Sequence, residues 1–369
     1  MEIASMFPRA GSEHEFARQV FPRWVSFTAG WAMTLALIVA AATVSLGFAR
    51  YVQVFFDVNV KWTAFALLVF VALVAASGMK RASWLIFGLS FVQVGGLILV
   101  VVLSVDHVGD VDLFAGNGLS GVLAGSALIF FAFIGFDEII TLSEETKDAS
   151  RTIPRALLLS LSISTILYVL VAVVSVSVLG SQRLANSKQP LTDVVLDAFG
   201  SGAGNIVSVI ALITTMNTTL LVVIAASRMA YGMASHGDLP KVFARLHNRF
   251  APRNAIAAAF ALAALLLLVG DIHQLAAATD ALVYLMFVLV NVIVIVLRVR
   301  KPDVVRVFRV PLTIGLVPVL PVLGIAVTIL MSSQLERSSV VLATGLTLLG
   351  TTLFFVVSMV HGKQRAKQK

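Results

Sequence analysis

Phe130-Phe131-Ala132-Phe133-Ile134-Gly135-Phe136-Asp137-Glu138 sets two adjacent carboxylates inside an apolar run, 119–142, that is otherwise long enough to cross a bilayer. Carboxylates at that depth have lost bulk water and need partners or a wet cavity. Gly135 stands just before them, and glycine lowers helix propensity by about 1 kcal/mol relative to alanine. The combination predicts a helix broken near mid-membrane, with Asp137 capping the N-terminus of its second half. Broken backbone at that depth is tolerated only where it is buried in protein or lines a cavity. A kinked packing helix with a snorkelling acid is the plainer reading of the same residues.

The composition around this stretch is that of an integral membrane protein. Of 369 residues, 59% are hydrophobic and 12% charged, with a mean hydropathy of +0.98; soluble domains carry about 25% charged residues. Cysteine is absent, so no disulfide framework exists. No HxxxH, CxxC, GxxxxGK[ST] or GxSxG constellation is present, which leaves no motif for a metal, a phosphate or acyl transfer and no catalytic residue to nominate. Residues 1–23 read as polar and amphipathic, not as a cleavable signal peptide.

Ten apolar runs are long enough to span: 24–50, 62–77, 82–105, 119–142, 154–179, 205–234, 254–270, 272–297, 311–331 and 338–360. Lys and Arg orient them. With Met1 inside, 22 of the 27 basic residues fall on the cytoplasmic side, leaving only Arg50, Lys61, Arg183, Lys188 and Arg337 outside. Both termini are therefore expected in the cytoplasm, flanking a bundle over 24–360, with residues 361–369 as a basic tail. The net charge of +8 is then a topology signal and no sign of nucleic-acid binding. Asp106, Asp110 and Asp112 make an acidic outer loop leading into the break. Leu191, Val194, Val195, Ala198 and Phe199 fall at helical spacing after Pro190, predicting a short helix lying on the bundle as a lid or as an ordinary surface helix.

Four stretches carry a family resemblance. Phe133-Ile134-Gly135-Phe136-Asp137, followed by Glu144-Glu145-Thr146-Lys147 and Arg151-Thr152-Ile153-Pro154, resembles the sixth helix and following loop of permeases of the amino acid–polyamine–organocation superfamily. Phe7-Pro8-Arg9-Ala10-Gly11, with Glu13 and Ala17-Arg18, resembles the loop between their second and third helices. Ser227-Arg228-Met229 through Met233, then Gly237 and Leu239-Pro240, resembles the end of the eighth, and Leu297-Arg298 with Lys301-Pro302 the end of the tenth. The resemblance implies an all-α, five-plus-five inverted-repeat transporter working by alternating access, coupled to protons or sodium or acting as an exchanger, with no cofactor. Such folds expose half-helix ends and free carbonyls to substrate and coupling ion. Family members have two further helices ahead of the Phe-Pro-Arg-Ala-Gly loop, the first with a glycine-rich break whose amides hold the substrate carboxylate. Here Met1-Glu2-Ile3-Ala4 resembles the last turn of the second. The sequence thus reads as helices three to twelve of such a permease, N-terminally incomplete, and a start codon placed too late is expected ahead of a truncated gene.

The resemblance also nominates residues. Phe133 is expected to cover the substrate, Ile134 and Gly135 to offer unwound backbone to its amino group, and Asp137 to polarise the second half-helix. Cationic-amino-acid relatives often have Glu-Tyr where Ala36-Leu37 stand, which favours an apolar substrate side chain. Gln93, before Gly95-Gly96, occupies about the place where many relatives carry a lysine standing in for sodium; glutamine hydrogen-bonds but does not titrate, and it also serves as a plain interhelical contact. Thr214, Thr215, Asn217 and Thr218 cluster at mid-depth, as substrate or cation ligands or as residues that back-bond within their helix. Asp280 lies in the outer third of its run, where an acid marks an ion path by default or sits wet and structural. The expected function is transport of amino acids or amines, most of all neutral ones, across the cell membrane. A non-transporting paralogue or solute sensor that kept the fold is the competing class.

Overall fold

The computed structural model describes residues 2–6, 13–111, 118–136, 139, 146–246, 251–304 and 306–366. The bundle is built around α3 (Arg23–Val52). In α3, 83% of the most apolar window is buried inside the protein, against 11% in α5 (Met79–Ser104) and α7 (Ala149–Asn186). That contrast makes α3 the inner helix and leaves the apolar faces of α5 and α7 for lipid. Its small residues explain the position, since Ala29, Gly30, Ala32, Ala36, Ala40 and Ala41 let neighbouring backbones approach closely. A Cβ on Gly30 would lie 2.8 Å from Met233 Sδ and 2.9 Å from His14 Cβ, so only glycine fits there. α9 (Ser201–Ser235) and α11 (Ile272–Arg300) pack most extensively on this axis.

Each of the ten expected runs holds a helix. α3, α4 (Val60–Ser77), α5, α7, α9 and α11 are each long and apolar enough to cross a membrane alone. α12 (Val319–Ser332) and α13 (Arg337–Ala366) form one pair bent by 117° that reaches that length together. α6 (Gly118–Ile129) and α10 (Arg253–Val269) are shorter apolar helices. The ninth run needs a correction at its start. Residues expected from 311 onward to be helical instead form a small antiparallel hairpin, β1 (Thr313–Ile314) with β2 (Val317–Pro318), and the helix begins at Val319. Turn chemistry overrides hydropathy there, because Pro318 has no N–H to give a helix and Gly315 turns the chain at φ +61°.

The fifth run was bounded at 179, where Gly180 (φ +72°) kinks α7. The amphipathic segment is present as α8 (Pro190–Phe199), with Val194 and Val195 buried and Phe199 exposed, so the buried face is narrower than the spacing implied. Thr192 on that face hydrogen-bonds Ser208 of α9 at 2.8 Å, tying the short helix to the bundle.

Two ion-pair knots hold one end of the bundle. Glu2, in the short α1 (Glu2–Met6), is buried and accepts from Arg298 Nε at 2.9 Å, Arg306 Nε at 3.2 Å and the Val310 amide at 2.8 Å. Burial pushes its carboxyl up, but these hydrogen bonds and the two guanidinium charges more than offset it and leave Glu2 below the ordinary glutamate value. Asp238, just past α9, accepts from Arg23 Nε at 2.6 Å and lies 2.8 Å from His14 Nε2. Its carboxyl is likewise raised by burial and lowered further by His14 and Arg23, with a net fall.

Candidate functional site

The helical ladder of α6 ends at Ile129, Phe130–Phe133 form a tighter 3-10 turn, Ile134 is extended (φ −68°, ψ 138°) and Gly135 sits at φ +105°. That φ is in the region side chains avoid, so glycine is what permits the chain to turn out of the helix here. The chain therefore leaves the helix at the place where the break was expected. Asp137 and Glu138 lie outside the described residues, and with them the expected cap of the second half-helix.

Two tyrosines from different helices grip the broken segment. The Tyr168 hydroxyl of α7 donates to the Ala132 carbonyl at 2.9 Å, and the Phe133 ring stands edge-on to Tyr168 at 5.2 Å. From α11, the buried Tyr284 hydroxyl donates to the Ala127 carbonyl at 2.9 Å. Phe130 packs on Tyr284 and Phe287, and Phe136 stacks on Phe287 at 6.1 Å. Carbonyls at a helix end need partners, and each hydroxyl supplies one, Tyr284 in a buried setting. Neither tyrosine was singled out from the sequence. The available signal was chemical: a tyrosine in an apolar helix has a hydroxyl that must find an acceptor.

Asp280 lies one turn before Tyr284 on α11, and Asp280, Tyr284 and Phe287 follow the spacing of one helix face. The residue is fully buried and neither carboxylate oxygen has a hydrogen-bond partner among the described residues. Asn217 of α9 is equally buried, with both amide atoms unpartnered. Buried polar atoms are nearly always satisfied, so two such side chains mark places where a water, ion or ligand would complete the hydrogen bonding.

The other nominated residues separate from these. Thr215 donates to the Ala211 carbonyl at 2.7 Å and is engaged within its own helix, while Thr214 and Thr218 are half-buried one turn apart. Gln93 is half-buried on α5, one turn before Gly96. At Gly96 an added Cβ would lie 2.2 Å from Ile210, so α5 and α9 meet closely there. α9 packs mainly on α3, α5, α8 and α10, whereas α11 meets the broken segment. Phe130 and Phe136, which flank Phe133, Ile134 and Gly135, thus meet Tyr284 and Phe287 on the α11 face that also carries Asp280, and the α9 group forms a second neighbourhood. Two larger apolar cavities are present: one of about 320 Å³ between α3, α9, α10 and α13, away from the break, and one of about 370 Å³ between α11, α12 and α13, which Ala281 and Tyr284 line.

A helix that ends at a glycine and is buttressed by hydroxyls from two neighbours, one of them on the helix that carries a buried acid with no hydrogen-bond partner among the described residues, fits transporters that use half-helix ends as binding elements. Residues 1–359 match the amino acid permease family. The chain belongs to that family. Among its relatives, the branched-chain amino acid permease BcaP of Bacillus subtilis is 27% identical, over 98% of this chain and 82% of its own length. An uncharacterized transporter of Mycobacterium tuberculosis is 31% identical over 67% of this chain and 57% of its own length. The vacuolar cationic amino acid transporter 4 of Arabidopsis thaliana is 29% identical over 82% of this chain and 55% of its own length. Family membership makes this an all-α integral membrane protein of the amino acid–polyamine–organocation superfamily, a transporter of amino acids and no enzyme.

Proposed function

We propose that this family member is a secondary active transporter of neutral, apolar amino acids in the cell membrane, working by alternating access. The observation that carries the reading is the break at 130–136, where the chain leaves the helix with Gly135 at φ +105°, Tyr168 holds the Ala132 carbonyl within it and Tyr284 holds the Ala127 carbonyl in the last turn of α6 before it. Phe133, Ile134 and Gly135 form the substrate-contacting element, with Asp137 following. Thr214 and Asn217 on α9 face the substrate from the second neighbourhood, and Gln93, Thr215 and Thr218 contribute polar atoms near the ion path. The apolar preference rests on α3. Ala36 and Leu37 are both buried, and this stretch of the innermost helix carries no acid to pair with a cationic side chain. BcaP is named for branched-chain amino acids, which agrees with that preference. The chain acts as one transport domain with both termini cytoplasmic, as the placement of 22 of its 27 basic residues supports.

Coupling falls to Asp280. An acid that shuttles protons must be charged in one access state and neutral in the other, and Asp280 is fully buried with no hydrogen-bond partner among the described residues to hold it in either state. The test is uptake of radiolabelled leucine and lysine into proteoliposomes under an imposed pH gradient. Saturable leucine uptake, competed by valine and indifferent to lysine, is expected. Asp280→Asn is expected to exchange leucine while losing the pH dependence. Lysine uptake that excludes leucine would overturn the substrate class, unchanged pH dependence in Asp280→Asn would overturn the coupling role, and leucine binding without uptake would favour a solute sensor.

A further inference from the structure

A cluster outside the break has the makings of a metal site. His14 and Glu15 lie on α2 (Glu13–Arg18), and His236 caps the C-terminus of α9. One ring nitrogen of each histidine and a carboxylate oxygen of Glu15 all lie within 4.8 Å of one another. The three arrive from opposite ends of the fold, His14 pressed against Gly30 of α3 and His236 leaving α9 just beyond Met233, which packs on the same glycine.

The hydrogen bonds around the cluster assign its tautomers. His14 Nε2 meets Asp238 Oδ2 at 2.8 Å, and that carboxylate is held as an acceptor by Arg23. His236 Nδ1 meets the Gly232 carbonyl at 2.8 Å. A carbonyl and an ionised carboxylate only accept, so both of these ring nitrogens carry hydrogen. In each neutral ring the other nitrogen, His14 Nδ1 and His236 Nε2, is then a lone-pair donor. A ligating histidine held from behind by a carboxylate or carbonyl is the usual supporting arrangement of protein metal sites.

Glu15 completes the set. Its Oε1 accepts from Gln19 at 3.3 Å, while Oε2 is buried with no hydrogen bond among the described residues, 3.8 Å from His236 Nε2. That gap is too long for a hydrogen bond but within the reach of two bonds of about 2.1 Å to one ion. His236 is 46% exposed, so a rotamer adjustment brings the three atoms to the roughly 3.4 Å spacing of a tetrahedral ion. Glu15 and Asp238 bring two carboxylates to the cluster, and Arg23 pairs with the second.

We propose that His14, Glu15 and His236 bind a divalent transition-metal ion of the zinc class, with Asp238 and Gly232 as supporting acceptors and a fourth position open to water. Two imidazoles and one carboxylate suit such an ion and not a hard one such as magnesium. The bound ion staples α2, which leads into the central helix, to the end of α9, and so clamps one end of the most extensive helix pair in the bundle.

The test is calorimetric titration of zinc chloride into the detergent-solubilised full chain, produced without a polyhistidine tag, with thermal unfolding followed alongside. One zinc per chain and a rise in Tm are expected. His236→Ala, at a half-exposed side chain, and Glu15→Gln, nearly isosteric, are each expected to lose more affinity than the roughly 10–100-fold that a supporting carboxylate contributes. Asp238→Asn should fall within that 10–100-fold range, and His273→Ala should bind as the unaltered chain does. Absence of zinc binding, or unaltered zinc affinity in His236→Ala, would overturn the proposal. Should the variants not fold, cobalt(II) loading of the unaltered chain decides the matter: a visible d–d band at one equivalent supports a site with two nitrogens and an oxygen, and its absence refutes it.

Discussion

Helix α11 carries two opposite treatments of buried charge about 27 Å apart, at the usual rise of a helix. At its end, Arg298 is locked to Glu2, whose oxygens also accept from Arg306 and the Val310 amide. Eighteen residues earlier, Asp280 is just as buried and its oxygens meet no hydrogen-bond donor among the described residues. A charge that is paired on every side is part of the structure and has nothing left to offer a ligand. A charge left unpaired costs free energy unless something else arrives to satisfy it, which is why the second acid and not the first is the candidate for coupling.

The largest way to break this comparison is at Glu2. Glu2→Gln leaves Arg298 buried without its countercharge, and removing one partner of a buried pair costs about 3–5 kcal/mol. Denaturant or thermal unfolding in detergent should show a loss of that order, and a change below about 1 kcal/mol would mean that the pair is not buried as described. The sign with pH follows from the lowered carboxyl. Glu2 binds protons less readily folded than unfolded, so its contribution is complete above the ordinary value of 4.5 and is lost as pH falls through its lower folded value. The stability difference between the two proteins should therefore shrink below pH 4.5. A difference that stays constant with pH would refute the pairing.

A smaller effect sharpens the other side. Tyr284→Phe removes the hydroxyl that donates to the Ala127 carbonyl while keeping the ring between Phe130 and the helix. The expected loss is about 0.5–1.5 kcal/mol of stability, together with faster hydrogen exchange at the amides of 130–136. Unaltered exchange there would show that the tyrosine does not hold the break.

Asp280→Asn should move stability least, within about 1 kcal/mol, because no hydrogen-bonded partner among the described residues is left behind. A loss as large as that at Glu2 would reveal a partner and erase the distinction between the two acids.

Much of this was legible in the amino-acid sequence, and for a physical reason. Hydropathy and the exclusion of charge from a bilayer act on each segment separately, so ten helices and a break at Gly135 follow from local composition. Where local chemistry was misjudged, at 311–318, the miss was also local: proline and glycine turned the chain into a hairpin before α12 could start. The partners of each polar group depend instead on contacts between distant segments. Tyr284 meeting Ala127, Glu2 meeting Arg298, and His14 with Glu15 meeting His236 join residues far apart in the chain. No spacing motif records such pairs, because helix packing alone decides which side chains meet. The sequence by itself determined the class of molecule and the place where its backbone opens. Only the tertiary structure decided that, among the described residues, Asp280 and Asn217 find no hydrogen-bond partner while Glu2 and Asp238 each find several, since satisfaction of a buried polar atom is a property of its neighbours and not of its segment.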